Sequence, residues 1–386
     1  MKACYFWLWV ILLGFFSLPS AAAGAVDKPL ISGGYAHTLA IQKDGTLWAW
    51  GDNTYGQLGL GDTTQRTSPT QVGTGWADLG AGWVAVATET GHSLGLKADG
   101  SLWAWGYNNY GQLGLGDTTQ QTIPTEVGRG WVAVAAGITH SLGLKADGTL
   151  WAWGDNGQGQ LGLGDTTDRY IPTLVGTGWV AVAAGFASSL GLMADGTLWA
   201  WGDNGKGQLG LGDTSERHSP TQVEGTGWAA VDAGGEHSLG LKADGTLWAW
   251  GYNYGGMLGL GDFIDRSSPT QVQVGTRWVA VSAGKWHSLG LKADGTLWAW
   301  GRSIYGQLGL GDTTDRNSPV QVLVGTSWVG LSAGWWHSLG LKADGSLWAW
   351  GYNPFGGLGL GDTTNRLSPV RVPRFNSRGA VVIPLN

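Results

Sequence analysis

Residues 278–322 read WVAVSAGKWHSLGLKADGTLWAWGRSIYGQLGLGDTTDRNSPVQV. The centre of this stretch, Trp-Ala-Trp-Gly, begins at Trp48, Trp103, Trp151, Trp199, Trp248, Trp298 and Trp348, at spacings of 55, 48, 48, 49, 50 and 50 residues. A fixed period of this length marks a repeat architecture, in which one unit cannot bury both of its faces alone. Within the unit, Trp278-Val-Ala-Val alternates large or β-branched residues with small ones, as a strand does. Ala283 to Trp286 makes a turn, and His287-Ser-Leu-Gly-Leu forms a second strand. Ala293-Asp294-Gly295 is a short hairpin turn of the Asp-Gly kind, which tolerates positive φ. Thr296-Leu-Trp-Ala-Trp is the third strand. A Gly-rich loop runs from Gly301 to Asn317, and Ser318-Pro319-Val-Gln-Val forms a fourth strand, with proline placed where an outer edge needs no N–H.

Apolar residues fall at period two and glycine breaks every longer run, so no segment reads as a helix. Four short antiparallel strands repeated seven times predict an all-β chain folded as a seven-bladed β-propeller of four-stranded antiparallel blades. The Asp-Gly hairpins disfavour a β-helix, whose strands run parallel. The units differ in places. The second carries an extra Trp76–Gly82, expected as an added half-strand. The fourth has Ser188 where the others have His37, His92, His140, His237, His287 and His337, and the first lacks the leading tryptophan. Residues 373–386 are expected to form a ring-closing tail, whose apolar stretch from Gly379 to Leu385 pairs with the first blade and removes an open sheet edge.

Lys2, an apolar run from Ala3 to Leu18 and the small residues Ala21–Ala25 have the layout of a secretory signal. The expected organisation is a signal peptide over 1–25 and one propeller domain over 26–386. The mature chain is then expected to be secreted or periplasmic, monomeric and free of the membrane. Cys4, the one cysteine among 386 residues, falls in that leader, so no disulfide is expected in the propeller. Stability must come from the core, for which the seven Trp-Ala-Trp motifs supply fourteen of the chain's 26 tryptophans. Charged residues are 13% and the net charge is -6, which offers no basic stripe for nucleic acid.

The pattern AGxxHSLxLxxDGxLWAWGxNxxGQLGxGDxxxxxxPxxV, spanning about 30–372, closely resembles the regulator-of-chromosome-condensation repeat. That resemblance implies a seven-bladed propeller. Eukaryotic members include a guanine-nucleotide exchange factor for a small nuclear GTPase. Exported bacterial propellers of similar repeat type include inhibitors that clamp onto β-lactamases, and many members are interaction scaffolds. The nuclear exchanger uses a wedge inserted in one blade, for which this chain has no obvious counterpart, and fold alone does not carry the activity across.

The recurrent groups read as structural. One histidine per blade is spread round a ring, away from any nucleophile, and each is expected to bond backbone or a neighbouring turn. The Gly-Asp pairs ending in Asp62, Asp117, Asp165, Asp213, Asp262, Asp312 and Asp362 lack the spacing of a calcium loop and suit turns. The Gly-x-Leu-Gly-x-Gly runs are followed by no helix that would hold phosphate. Both tryptophans of each Trp-Ala-Trp point to one face and are expected to pack blade on blade. No metal, cofactor or enzymatic activity is expected.

Strand alternation puts the first turn and the long loop at one end of each blade, and the Ala-Asp-Gly turns at the other. The second end reads almost unchanged from unit to unit. The first varies and carries Tyr35, Phe186, Trp286, Trp335 and Trp336 in the turns, with Tyr55, Tyr107, Tyr110, Tyr252, Tyr305 and Phe355 in the loops. Aromatic residues are favoured in binding hot spots, and loops on rigid scaffolds commonly carry function. These eleven are the candidate partner-binding residues. The expected ligand is a protein, with a glycan bound by ring stacking, or a GTPase, as the alternatives.

Overall fold

A computed structural model describes residues 30–73, 81–322 and 327–376. Its strands form seven four-stranded antiparallel sheets, each built from four strands consecutive in sequence. The first strands of neighbouring sheets touch one another all the way round, including Ile31–Gly33 of blade 1 against Trp328–Ala333 of blade 7. First strands are therefore innermost and the ring is closed. The chain is a seven-bladed β-propeller.

The core is a series of apolar wedges between adjacent blades. The second tryptophan of every Trp-Ala-Trp is fully buried: Trp50, Trp105, Trp153, Trp201, Trp250, Trp300 and Trp350. Its indole N–H donates to the long loop of the preceding blade. Trp105 Nε1 reaches the Gln57 carbonyl at 2.8 Å, and Trp153 reaches Gln112 at 2.9 Å. The loop can lie this close because Gly59 sits over the indole; a Cβ there would come within 2.9 Å of Trp105 Nε1. The first tryptophan shares the face but is only half-buried, against the leading tryptophan of its blade, as with Trp248 and Trp228, whose ring centroids are 6.2 Å apart. Lysine ammonium groups cover these pairs at the rim; Lys242 lies 4.6 Å from the Trp248 ring centroid.

Expected from the sequence to bond backbone or a neighbouring turn, the histidine side chains do neither. Each Nε2 meets a hydroxyl of the next blade, as in His92 to Ser141 at 3.1 Å and His337 to Thr38 at 3.1 Å. Ser141 in turn donates to the Gln112 carbonyl, which also accepts from Trp153. One loop carbonyl thus ties two side chains of the following blade, and the histidine reaches that knot from behind. Burial pushes these imidazoles down to about 3 or 4, so they are neutral at physiological pH.

The Asp-Gly turn also differs from a two-residue hairpin. Gly45 has φ of 78°, while Asp44 keeps negative φ. Gly45 N–H donates to the Gln42 carbonyl and Gln42 N–H to Thr46, which makes a three-residue loop with a glycine bulge. Asp44 Oδ1 accepts from Thr46 N and Oγ1, and Thr46 Oγ1 accepts from Trp48 Nε1. In the long loop, Asn53 bonds Leu58 N and Asp62, and Asp62 pairs with Arg66 at 2.7 Å. Those contacts account for the recurrent aspartate within the loop.

At the seam, the outer strand Arg366–Asn376 continues past the usual length and pairs with Ser346 of its own blade. Phe375 is buried against Trp50 of blade 1, with ring centroids 6.0 Å apart. The expected pairing of Gly379 to Leu385 with blade 1, the extra half-strand around Trp76, and the leader lie outside the described residues.

Candidate functional site

Two positions in the turn before each histidine decide what stands at the mouth of the ring. Two residues ahead of it come Tyr35, Thr90, Ile138, Phe186, Gly235, Lys285 and Trp335, and one residue ahead come Ala36, Gly91, Thr139, Ala187, Glu236, Trp286 and Trp336. The backbone of these turns is tied from blade to blade, as in Tyr35 N–H to the Glu89 carbonyl and Trp335 N–H to Gly34. Only the side chains vary.

The first set converges on the axis. Phe186 of blade 4 and Trp335 of blade 7 have ring centroids 4.9 Å apart, and Tyr35 of blade 1 packs edge-on to Trp335 at 4.8 Å. Rings from opposite blades meet only across the axis, so these residues plug the channel mouth. The Lys285 ammonium of blade 6 sits 3.8 Å from the Trp335 ring centroid and 4.8 Å from that of Phe186. Trp335 Nε1 donates to the Glu89 carboxyl of blade 2. Enclosure of that carboxyl pushes it up to about 8, although part of the Glu89 side chain reaches the surface; Trp335 and Lys285 pull the other way. Burial also lowers Lys285 from the usual lysine range.

The second set, with the long loops, forms a belt. Tyr254 stacks on Tyr252 at 6.1 Å, and Tyr252 meets Trp286 at 5.9 Å. Trp286 lies 6.2 Å from Trp336, and Trp336 5.5 Å from Tyr305. Tyr305 is 4.6 Å from Tyr352, which meets Phe355 at 6.4 Å. Seven rings thus run without a break across blades 5, 6 and 7. A separate trio, Tyr55, Tyr107 and Tyr110, lies over blades 1 and 2, with Tyr55 and Tyr107 4.9 Å apart and Tyr107 and Tyr110 6.4 Å apart. Over blades 3 and 4 the corresponding loop tips carry Gln158 and Lys206 instead of rings.

The eleven candidates therefore divide into three groups. Tyr35, Phe186 and Trp335 belong to the plug, Tyr252, Trp286, Tyr305, Trp336 and Phe355 to the belt, and Tyr55, Tyr107 and Tyr110 to the trio. Tyr55 and Tyr110 are exposed, as is Tyr254 at 54%; the remaining nine candidates are half-buried by one another. Sequence reasoning missed Glu89, Lys285 and Tyr352. Glu89 had a signal: three residues before the histidine position the other six units have Gly34, Gly137, Gly185, Gly234, Gly284 and Gly334. Among the described residues no cluster of three or more histidine, cysteine or acidic side chains is placed to hold a metal, and no helix is long and apolar enough to cross a membrane.

Comparison with known proteins places these seven blades in a family. The regulator of chromosome condensation (RCC1) repeat matches residues 44–96, 99–144, 147–192, 195–241, 244–291, 294–341 and 344–383. The chain belongs to the RCC1 repeat family. Among curated relatives, the Arabidopsis thaliana ultraviolet-B receptor UVR8 is 37% identical over 113 residues, 29% of this chain and 25% of the receptor. The probable E3 ubiquitin-protein ligase HERC4 of Mus musculus is 41% identical over 92 residues, 24% of this chain and 8% of the ligase. These alignments span a quarter or less of either relative. Among solved structures, Prp20p of Saccharomyces cerevisiae superposes with a TM-score of 0.77 at 23% identity, over 87% of each chain, which shows the shared fold. Human WBSCR16 superposes with a TM-score of 0.71 at 26% identity, covering 79% of this chain and 84% of that one. The repeat accounts for the ring and the strand tryptophans that recur in every blade, whereas the residues of the plug and the belt differ from blade to blade.

Proposed function

We propose that this RCC1-repeat propeller is an exported, non-catalytic scaffold that docks a protein partner through the belt of blades 5 to 7. The carrying observation is the unbroken run of seven rings from Tyr254 to Phe355. Half-buried rings locked against each other lose little entropy on binding, and tryptophan and tyrosine dominate interface hot spots. Lys285, Lys206 beside Tyr252 at 4.9 Å and Arg302 beside Tyr254 at 5.1 Å add cations to the same surface. Such a mixture of aromatic and basic groups suits a protein surface with apolar anchors and carboxylates. The relatives' names support a protein ligand: yeast Prp20 has been seen in a complex with Kap60, and Prp20p has been studied for binding to Gsp1p and histones. The leader-like start of the chain is the reason for placing the partner outside the cytoplasm.

The test is capture from the native host with the secreted chain as bait, wild type beside Trp336→Ala with Tyr305→Ala. Loss of the captured protein by a variant that is still fully folded at the assay temperature supports the belt, and equal capture by both rules it out. Fractionation of the host for the native chain checks the compartment; a cytoplasmic pool alone would overturn export.

A further inference from the structure

The side-chain ties between neighbouring blades can be followed round the ring, and one junction lacks them. The first tie joins the histidine to a hydroxyl of the next blade, as in His140 Nε2 to Ser189 Oγ at 3.0 Å. It is present at six junctions. Between blades 4 and 5 Ser188 replaces the histidine. Among the described residues it makes no bond to Ser238, which keeps only its bond to the Gln208 carbonyl. The second tie starts five residues before the histidine position, where a side chain accepts a backbone N–H from the first strand of the next blade. Ser32 accepts from Thr88 at 3.1 Å, Asp232 from Ala283 at 2.9 Å, Ser282 from Ala333 at 3.1 Å and Ser332 from Gly33 at 3.1 Å. Ala87, Ala135 and Ala183 have no side-chain acceptor to offer. Blades 2 and 3 still hold their neighbours through His92 and His140, so the junction of blades 4 and 5 alone has neither tie. The Ala233 N–H, which Ala183 cannot serve, is bonded instead by Asp232 of its own blade at 3.0 Å. The turn backbone is slack there too: Phe186 N–H reaches the Gly235 carbonyl at 3.4 Å, against 3.0 Å for Tyr35 to Glu89.

All three deficits lie at the mouth end of the two blades. Their covalent link, residues 223–227, lies at the hairpin end. Between them the outer wall is grooved, with about 620 Å³ open among Leu211, Glu224, Lys242 and Pro269, so less apolar filling joins the outer edges. Across the axis, Phe186 of blade 4 packs on Trp335 of blade 7 at 4.9 Å and under the Lys285 ammonium of blade 6 at 4.8 Å. Local opening occurs where the fewest interactions oppose it, and a hinge needs one tethered end and one free end. We infer that the ring has a built-in gate between blades 4 and 5, which parts at the mouth about the link 223–227 and is latched by Phe186. Parting draws Phe186 off Trp335 and Lys285, so the motion that opens the junction also unplugs the channel.

Seven equivalent amides report on the seven junctions. In each blade the glycine of a Leu-Gly-Asp triplet donates to the outer strand of the next blade, as in Gly164 to His218, Gly212 to Ser267 and Gly261 to Asn317, each at 2.8 Å. The triplet is the same in all seven, so differences in exchange report opening and not local sequence. Hydrogen exchange of these amides is followed by NMR on the intact chain, without any partner. Gly212 should exchange at least about tenfold faster than Gly164 and Gly261, the scale set by two missing hydrogen bonds. Ser188→His copies the other six blades and should slow Gly212 into their range while Gly361 is unchanged. His140→Ser leaves the junction of blades 3 and 4 with neither tie and should speed Gly164 by a similar factor, with nothing added to the core. Phe186→Ala should speed Gly212 further. Exchange of Gly212 in step with the other six overturns the inference. So does an unmoved Gly164 in His140→Ser, or a fast Gly212 that Ser188→His does not slow, which would assign its exchange to the groove that Gly212 borders. A Gly212 rate indifferent to Phe186→Ala removes the latch.

Discussion

The two ends of the ring are built on the same repeating blades and differ in how far their side chains vary. At the hairpin end, each turn repeats one arrangement: aspartate holds a threonine or serine, and that hydroxyl holds the first tryptophan, as in Asp147, Thr149 and Trp151. The aspartate, the hydroxyl and the indole N–H are thus partnered within about five residues of one another, which fixes those three positions. At the mouth, the backbone is tied from blade to blade by its own N–H groups and the side chains two and one residues before the histidine are released from that duty. They range from Gly235 to Trp335. Where the main chain carries the packing, the side chains are free to diverge, and divergence is what a partner-specific surface requires.

That contrast is open to direct attack, and the largest effect is expected in the wedges that serve both ends. Trp250→Ala removes a fully buried ring and its bond to the Gln208 carbonyl. It should destabilise the ring by roughly 3–5 kcal/mol, whereas Trp336→Ala, half-buried in the belt, should cost well under half of that. Thermal melts of the two variants decide the matter; equal losses would mean that the belt is core.

Acid comes next. The six ring histidines are neutral in the folded state, with values of about 3 or 4 against 6.5 for a free imidazole. Each therefore contributes its full stability above about pH 6.5 and loses it as pH falls towards the folded value. The melting temperature should drop steeply between pH 6.5 and 4, and His237→Ser, which copies the Ser188 of blade 4, should make the drop shallower by one proton. A flat profile over that window would contradict the buried ring.

A smaller effect with the opposite sign is expected at the plug. Glu89 is raised to about 8, so its contribution is complete below about pH 4.5 and is lost as pH rises through 8. Glu89→Gln keeps an acceptor for Trp335 and removes the ionisation. It should melt higher than wild type at pH 8.5, with the difference closing by pH 5. Identical curves at both values would remove Glu89 from the interior of the plug.

Much of this was legible in the sequence, for a physical reason. Period-two alternation and the fixed position of Asp-Gly are local properties, so strands, turns and their order along each blade follow from them. The turn type did not, because a two-residue and a three-residue Asp-Gly hairpin share the same letters; Asp44 keeps negative φ and only Gly45 takes the left-handed region. Partners from the next blade were hidden as well. Nothing near His92 in the sequence points to Ser141, 49 residues on. The aromatic end was readable as a list of residues, but its division into plug, belt and trio depends on which rings meet across the axis. Phe186 and Trp335 are three blades apart and touch. Glu89 was the missed clue, an acid where every other unit has glycine.

On the proposed function, the mouth of the ring binds and the hairpin end only holds. The most direct measurement is the paired affinity of the captured partner for three chains, each fully folded at the assay temperature: wild type, Trp336→Ala with Tyr305→Ala at the mouth, and Lys145→Met with Asp147→Asn at the hairpin end. The mouth variant should lose at least ~30-fold in Kd, the scale of a hot-spot pair, while the hairpin variant stays within about twofold of wild type. A hairpin variant that binds worse than the mouth variant would contradict the assignment of the two ends.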